Sequence, residues 1–366
     1  MLENRIYFWI ILLYLFSPVN YVPFALLLLF VHNIFFFKSI RQRSILISLP
    51  LLCLAFISLI MILFEGKLGK EIVEFYKWST IGFSILMFNE KRSFTFLKAF
   101  GYFTFFSFIM ILVQQLFSDN EIVVGISKLY ASPELIDANF VPGYVRSTGF
   151  NEGPGHLGVL ITFALFLMFL FNKWRVISSF KRKIVVSLSA TSALFAASKG
   201  VIPVLFLLNT RFLIFISLIV FSIFFSIYSF EDLYYIERLL SSASGEARVG
   251  IWSELINNSL LYPHTVIFGN PRIGDFGTVS VFDSDWVYIY FTKGIIGVLL
   301  LLLTLVQIVF EFSSSVKSIF FFLSVLVLIG FANPAFTDIK FGLIYFQLIM
   351  VLSIVKKKKL KKDFRN

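Results

Sequence analysis

Arginines and carboxylates gather in two polar stretches of an otherwise apolar chain. Together they could grip a phosphate-bearing group and activate a hydroxyl. The first stretch closes with Arg146-Ser147-Thr148-Gly149-Phe150-Asn151-Glu152-Gly153-Pro154-Gly155-His156. The second, residues 231–286, carries Arg238, Arg248, His264, Arg272, Asp275, Asp283 and Asp285. A guanidinium binds phosphate through two N–H groups at once and stays charged at any physiological pH. A carboxylate or an imidazole within hydrogen-bond reach of a hydroxyl can take its proton. Arg146 adds a permanent cation to the first stretch, and Asp283 and Asp285 could serve as a general base. For Asp283 and Asp285 two other readings stay open, as cation ligands or as solvated charges at a membrane entrance. Gly153, Gly155 and Gly158 match G-x-G-x-x-G, but an apolar run follows them and no βαβ unit frames them, so a dinucleotide site is not expected. The same glycines, ahead of a helix start, suit an anionic headgroup or a plain turn into a span.

These residues must be positioned in lipid. Hydrophobic residues make up 58% of the 366, and charged residues only 14%, against about 25% in soluble domains. That defines a polytopic, all-α membrane protein. The net charge of +11 does not point to nucleic acid, because the cations sit in short connectors and in the tail Lys356–Lys362. This is the pattern of cytoplasmic loops, and the tail can also meet anionic lipid headgroups. A lone Cys53 excludes an internal disulfide, and three histidines with no spaced cluster of oxygen ligands give no expectation of a metal or other cofactor.

A crossing helix needs about 20 apolar residues. Spans are expected near 6–19, 22–37, 44–64, 72–88, 93–117, 156–172, 184–198, 200–210, 212–230, 287–310, 316–332 and 339–355. The first apolar run has no cleavage signal after Arg5 and reads as a retained span. The chain then divides into N-terminal helices (1–117), a first outer loop (118–155), central helices (156–230), a large outer loop (231–286), C-terminal helices (287–355) and a basic cytoplasmic tail (356–366). Placing the tail inside puts Lys38, Arg41, Arg43, Lys91, Arg92 and the 173–183 cations inside as well, and both long loops outside. Lys98 can snorkel to the inner edge, Lys77 can pair with Glu74, and Lys77 and Lys293 are expected to snorkel at the outer edge. Ser198-Lys199-Gly200 before Pro203 reads as a helix break, and 246–261 as a short amphipathic helix with Ser244 as its cap.

Taken in order, four blocks resemble the O-antigen polymerase and O-antigen ligase superfamily. They are Arg146–Phe150 with Glu152-Gly153-Pro154; Ala197-Ser198-Lys199-Gly200, where that family has Ser-Arg-Gly; Ala247-Arg248 with Trp252; and Asp283-Ser284 followed by Gly294-Ile295-Ile296-Gly297. The resemblance implies a GT-C-like bundle of about twelve spans with two long outer loops. It also implies metal-independent transfer of a glycan from undecaprenyl diphosphate to a sugar hydroxyl outside the bacterial cytoplasmic membrane. In that reaction Arg146 and Arg248 would clamp the diphosphate, with Arg272 and Lys199 behind them, and Asp283, Asp285 or Glu152, with His264 as runner-up, would take the proton of the acceptor hydroxyl. Its partners would be the lipid-linked oligosaccharide, membrane lipid and a chain-length regulator protein. Ligases of the family place a histidine where this chain has Asp283, which favours a polymerase for O-antigen, capsule or exopolysaccharide. Two alternatives stay open: a lipid-linked oligosaccharide flippase or other multi-span transporter, and a ligase.

Overall fold

Apolar runs in lipid satisfy their backbone groups internally, and here they do so as helices. The computed structural model describes residues 2–36, 42–65, 69–131, 136–137, 139–141, 144–173, 263–269, 284–312 and 337–363, with 188, 192, 250, 252–254 and 257 besides. The described helices are α1 (Leu2–Phe16), α2 (Val22–Phe35), α3 (Gln42–Glu65), α4 (Gly69–Leu86), α5 (Glu90–Leu116), α6 (Glu121–Tyr130), α7 (Pro154–Lys173), α8 (Pro263–Phe268), α9 (Asp285–Phe312) and α10 (Phe341–Asp363). Among the described residues, three helical segments are long and apolar enough to cross a membrane: Ile45–Leu63, Glu90–Leu116 and Asp285–Ile308.

The protein is mostly helical, with one addition to the all-α expectation. Strands β1 (Phe140–Val141) and β2 (Tyr144–Val145) form a two-residue antiparallel pair, Phe140 opposite Val145. The helix α10 also runs on through the lysine tail, where the sequence suggested a span ending near 355. Lysine is a good helix former, so charge alone does not stop it. Apart from Leu188 and Ser192, the expected spans at 184–198, 200–210, 212–230 and 316–332 lie outside the described residues, as does most of the expected 246–261 helix.

The chain forms two units. One comprises residues 1–14, 22–97 and 242–366; the other comprises 15–21 and 98–241. In the first, α1 and α10 run antiparallel. Tyr7 donates to Gln347 Oε1 at 3.1 Å, and one helical stretch further on Tyr14 donates to the Lys340 carbonyl at 2.8 Å. The end of α2, the end of α4 and the starts of α1 and α5 meet in a second polar knot. There Arg92 reaches Asn33 at 2.9 Å and Glu3 at 3.1 Å, while Asn33 donates to Ser84 at 2.9 Å.

In the second unit, α6 starts on an Asn120 cap whose side chain accepts from the Ile122 N–H, which satisfies a donor the helix cannot. Its inner face, Val123 and Ser127, is buried.

Candidate functional site

Arg146 leaves the β1–β2 pair and opens a turn that two neighbouring glutamines of α5 hold in place. The Gln114 carboxamide oxygen accepts from the Thr148 and Gly149 N–H groups, each at 3.0 Å. Its Nε2 donates to Ser127 Oγ at 3.0 Å and Thr148 Oγ1 at 3.2 Å. Gln115 Nε2 donates to the Val145 carbonyl and to Ser147 Oγ, both at 2.8 Å. Every polar group so bonded would cost free energy if buried without a partner. Gly149 has φ +60, and a Cβ there would stand 3.4 Å from the Ser107 carbonyl. The left-handed backbone and the close approach both call for glycine. Phe150 then packs edge-on to Phe16 at 5.6 Å and to Tyr130 at 5.2 Å.

The candidate side chains of this turn stand at its rim. Arg146 is half-buried, donating from Nη1 to Asn139 Oδ1 at 3.2 Å, with its N–H on the Asn139 carbonyl at 2.8 Å. Glu152 lies one turn before His156, with 3.9 Å between carboxylate and imidazole. Pro154 starts α7, where the missing N–H of proline is no loss. Tyr130, on α6, donates to the Phe16 carbonyl at 2.9 Å, and burial pushes its phenol above the usual tyrosine range. The sequence singled out Arg146 and Glu152; it did not single out Gln114 or Gln115. Neutral amides inside an apolar run carry no motif, though two adjacent glutamines at the end of a span are a legible oddity.

The first unit holds a second polar cluster, at the starts of α4 and α9 and ahead of α10. Lys293 donates to Glu71 Oε2 at 2.8 Å. Lys77 donates to Glu74 Oε1 at 2.5 Å and to the Thr337 carbonyl at 2.6 Å. Glu74 also accepts from Tyr288 at 2.7 Å and from the Trp78 indole at 3.0 Å. Asp285, with none of its surface exposed, accepts from the Thr337 N–H at 2.8 Å and from the Thr337 hydroxyl. Asp338 accepts from the Lys340 and Phe341 N–H groups, each at 2.7 Å, and so caps α10. Acidic groups in a first helical turn also face the positive end of the helix dipole.

Two expectations change here. Lys77 and Lys293 do not snorkel: both are buried in ion pairs, Lys77 with Glu74 one turn earlier on α4, as the spacing allowed, and Lys293 with Glu71 across from α9. Asp285 is not a solvated rim charge, since its carboxylate ties the start of α9 to the turn before α10. Beside this cluster α9 is broken. Gly294 has φ +64 and ψ −164, a region open essentially to glycine. A Cβ at Gly294 would fall 2.3 Å from the Ile267 carbonyl oxygen, and one at Gly269 2.3 Å from the Lys293 amide nitrogen. The end of α8 thus presses backbone to backbone on the break.

Arg248, Arg272, Lys199 and Asp283 lie outside the described residues. His264 stands in the first turn of α8, with its side chain outside the description. No protein-family model, no curated protein and no solved structure matches this chain.

Proposed function

We propose that this chain is a metal-independent glycosyltransferase, a polysaccharide polymerase of the O-antigen, capsule or exopolysaccharide type. It would transfer a growing glycan from undecaprenyl diphosphate to the sugar hydroxyl of another lipid-linked repeat unit, on the outer face of the bacterial cytoplasmic membrane. The carrying observation is the Arg146 turn: a guanidinium at the rim of a loop whose backbone is pinned from below by Gln114 and Gln115. A preorganised cation of this kind suits a leaving diphosphate, since it needs no rearrangement as charge develops. At an effective dielectric near 20, a unit charge pair about 4 Å apart gains roughly 4 kcal/mol. In this reading Arg248, Arg272 and Lys199 complete the clamp, and Glu152, Asp283, Asp285 or His264 takes the acceptor proton. Of these, the buried bonds of Asp285 favour a positioning role. A chain-length regulator would be the protein partner.

The bundle would have about twelve spans and two long outer loops in a GT-C-like arrangement, with both termini cytoplasmic. The antiparallel α1 and α10 support that orientation. So does the separation of the two polar knots along α4: Glu74 and Ser84 are ten residues apart in one helix, about 15 Å at 1.5 Å per residue. In this reading the knot with Arg92 and Glu3 would lie nearer the inner face and the Glu74 knot nearer the outer one.

A second reading has one observation in its favour. Buried ion pairs beside a broken helix, as at Glu71, Lys293 and Gly294, are what carriers use. That reading is a flippase for lipid-linked oligosaccharide or another transporter. Deleting the gene and resolving the surface polysaccharide by gel separates the two. Single repeat units in place of a ladder support the polymerase; absence of any repeat unit, with lipid-linked units held inside, supports the flippase. Within the first outcome, an Arg146→Ala protein made at normal level must fail to restore the ladder, or the clamp is wrong.

A further inference from the structure

Among the described residues, α6 is the helix whose solvent side is more apolar than its position in a polar loop calls for. It has three faces. Val123 and Ser127 point into the protein. Glu121 and Lys128, seven residues apart and both exposed, form a charged edge, with Lys128 Nζ 3.6 Å from the Asp137 carboxylate. Between these runs a third face of Ile122, Gly125, Ile126 and Leu129, at helical spacing. Ile122 is 73% exposed and Leu129 64% exposed.

What covers that face can be read from the helix before it. On α5, a segment apolar and long enough to cross a membrane, the exposed large residues Phe105, Ile109, Leu112 and Leu116 recur on one side, and Phe117 extends them past its end. Such a stripe on a crossing helix faces lipid unless another helix covers it. Only residues 118–120 separate Phe117 from the start of α6, so the exposed apolar surface passes from one helix to the next. A helix with an apolar face, a buried face and a charged edge fits the boundary between acyl chains and headgroups, with its charges toward the phosphates. A tyrosine at that level, as at Tyr130, is in keeping with the aromatic belt of membrane proteins.

We propose that α6 is an interfacial helix that binds the lipid of one leaflet through Ile122, Ile126 and Leu129. Its consequence is positional. Ser127 of α6 accepts from Gln114, which holds Thr148 and Gly149, and Tyr130 packs on Phe150. The lipid-bound helix therefore sets the depth of the Arg146 turn at the headgroup layer. The inference rests on the chain spanning a membrane and stands whether or not the protein transfers glycans.

The test uses the full chain with Cys53→Ser, in nanodiscs of phosphatidylcholine and phosphatidylglycerol. Single cysteines at Ile122, Leu129, Glu121 and Lys128 carry a small fluorophore. Quenching is read with iodide in the water, with lipids bearing a nitroxide high on the acyl chain, and with lipids bearing one near its end. The labels at 122 and 129 should be quenched several-fold more by the shallow lipid nitroxide than by iodide, and those at 121 and 128 the reverse. Iodide quenching at all four sites overturns the proposal. So does protection from both quenchers at 122 and 129, which means a protein surface covers the face. Deep-nitroxide quenching at 122 and 129 that exceeds the shallow one also overturns it, because α6 would then lie inside the bilayer. Labels at Glu121 and Lys128 are surface substitutions that keep the fold, so their reversed pattern stays readable if a label at 122 or 129 perturbs α6.

Discussion

Gln114 holds Thr148 twice and Gly149 once: its oxygen accepts from the Thr148 N–H and its nitrogen donates to the Thr148 hydroxyl, while the same oxygen takes the Gly149 N–H. One fully buried amide thus fixes the turn that follows Arg146. Replacing Gln114 by Leu leaves two backbone N–H groups buried without acceptors, each costing about 1–3 kcal/mol. The expected result is a loss of about 2–6 kcal/mol in stability of the purified protein. Polymer should fall with it even where the amount of membrane protein is kept at the wild-type level. Quantitative blots beside polysaccharide gels check both.

The glycines rank by what surrounds them. An alanine at Gly101 meets nothing within 4 Å and should be tolerated. At Gly149 the left-handed backbone is the main obstacle, and roughly 1–2 kcal/mol should be lost. At Gly294 the added Cβ would run into the Ile267 carbonyl at 2.3 Å, so the break in α9 cannot keep its contact with α8. Thermal unfolding in one detergent should give Gly101→Ala near wild type, Gly149→Ala below it and Gly294→Ala lowest. Equal behaviour of the last two would contradict the backbone contact.

Arg146 should be intolerant of lysine for a reason separate from folding. Lys keeps the charge but loses the planar fork that can meet Asn139 and a phosphate together. Arg146→Lys is expected to unfold within a degree or two of wild type and to lose most of the polymer. Full ladders from this variant would argue that only net charge matters at the rim.

The described helices that coincide with expected spans were legible because apolar runs of the right length can do little else in lipid. The Arg146–Gly155 block was legible as a turn because glycine and proline punctuate it. The Glu74–Lys77 pair was legible too, since three residues along a helix is contact distance. What fixes these parts in space was not. Gln114 is 34 residues from Thr148, and Glu71 is 222 from Lys293. Nothing local in either segment signals its partner, so Lys293 read as an edge cation rather than half of a buried pair. Asp285 read as a base, a cation ligand or a solvated charge for the same reason: the two donors that bury it come from Thr337.

Tyr130 gives the second unit a defined response to alkali. Burial raises its phenol above the ordinary value of 10.0, so the folded state holds the proton more tightly than the unfolded chain. The stability this contributes is whole below pH 10 and is lost as pH rises through the folded value. The Tyr130→Phe variant lacks the bond to Phe16, typically about 0.5–1.5 kcal/mol, but also lacks this titration. The gap between wild type and variant in chemical denaturation should be constant from pH 7 to 9 and shrink above pH 10. A gap that widens with alkali would reverse the assignment.

The Glu74–Lys77 pair separates the two functional readings. Lys77→Met alone leaves a carboxylate buried with only Tyr288 and Trp78 as donors, and breaking a buried pair from one side costs about 3–5 kcal/mol. Adding Glu74→Gln removes the stranded charge and keeps an acceptor for Tyr288, so the double variant should recover most of that loss. If the cluster is structural scaffolding for a polymerase, the double variant makes a ladder in proportion to its folded amount. If the cluster carries the coupling of a transporter, the double variant folds and still fails. A ladder from the stable double variant therefore supports transfer chemistry seated elsewhere, at the Arg146 turn. A folded but inactive double variant moves the working site into these helices.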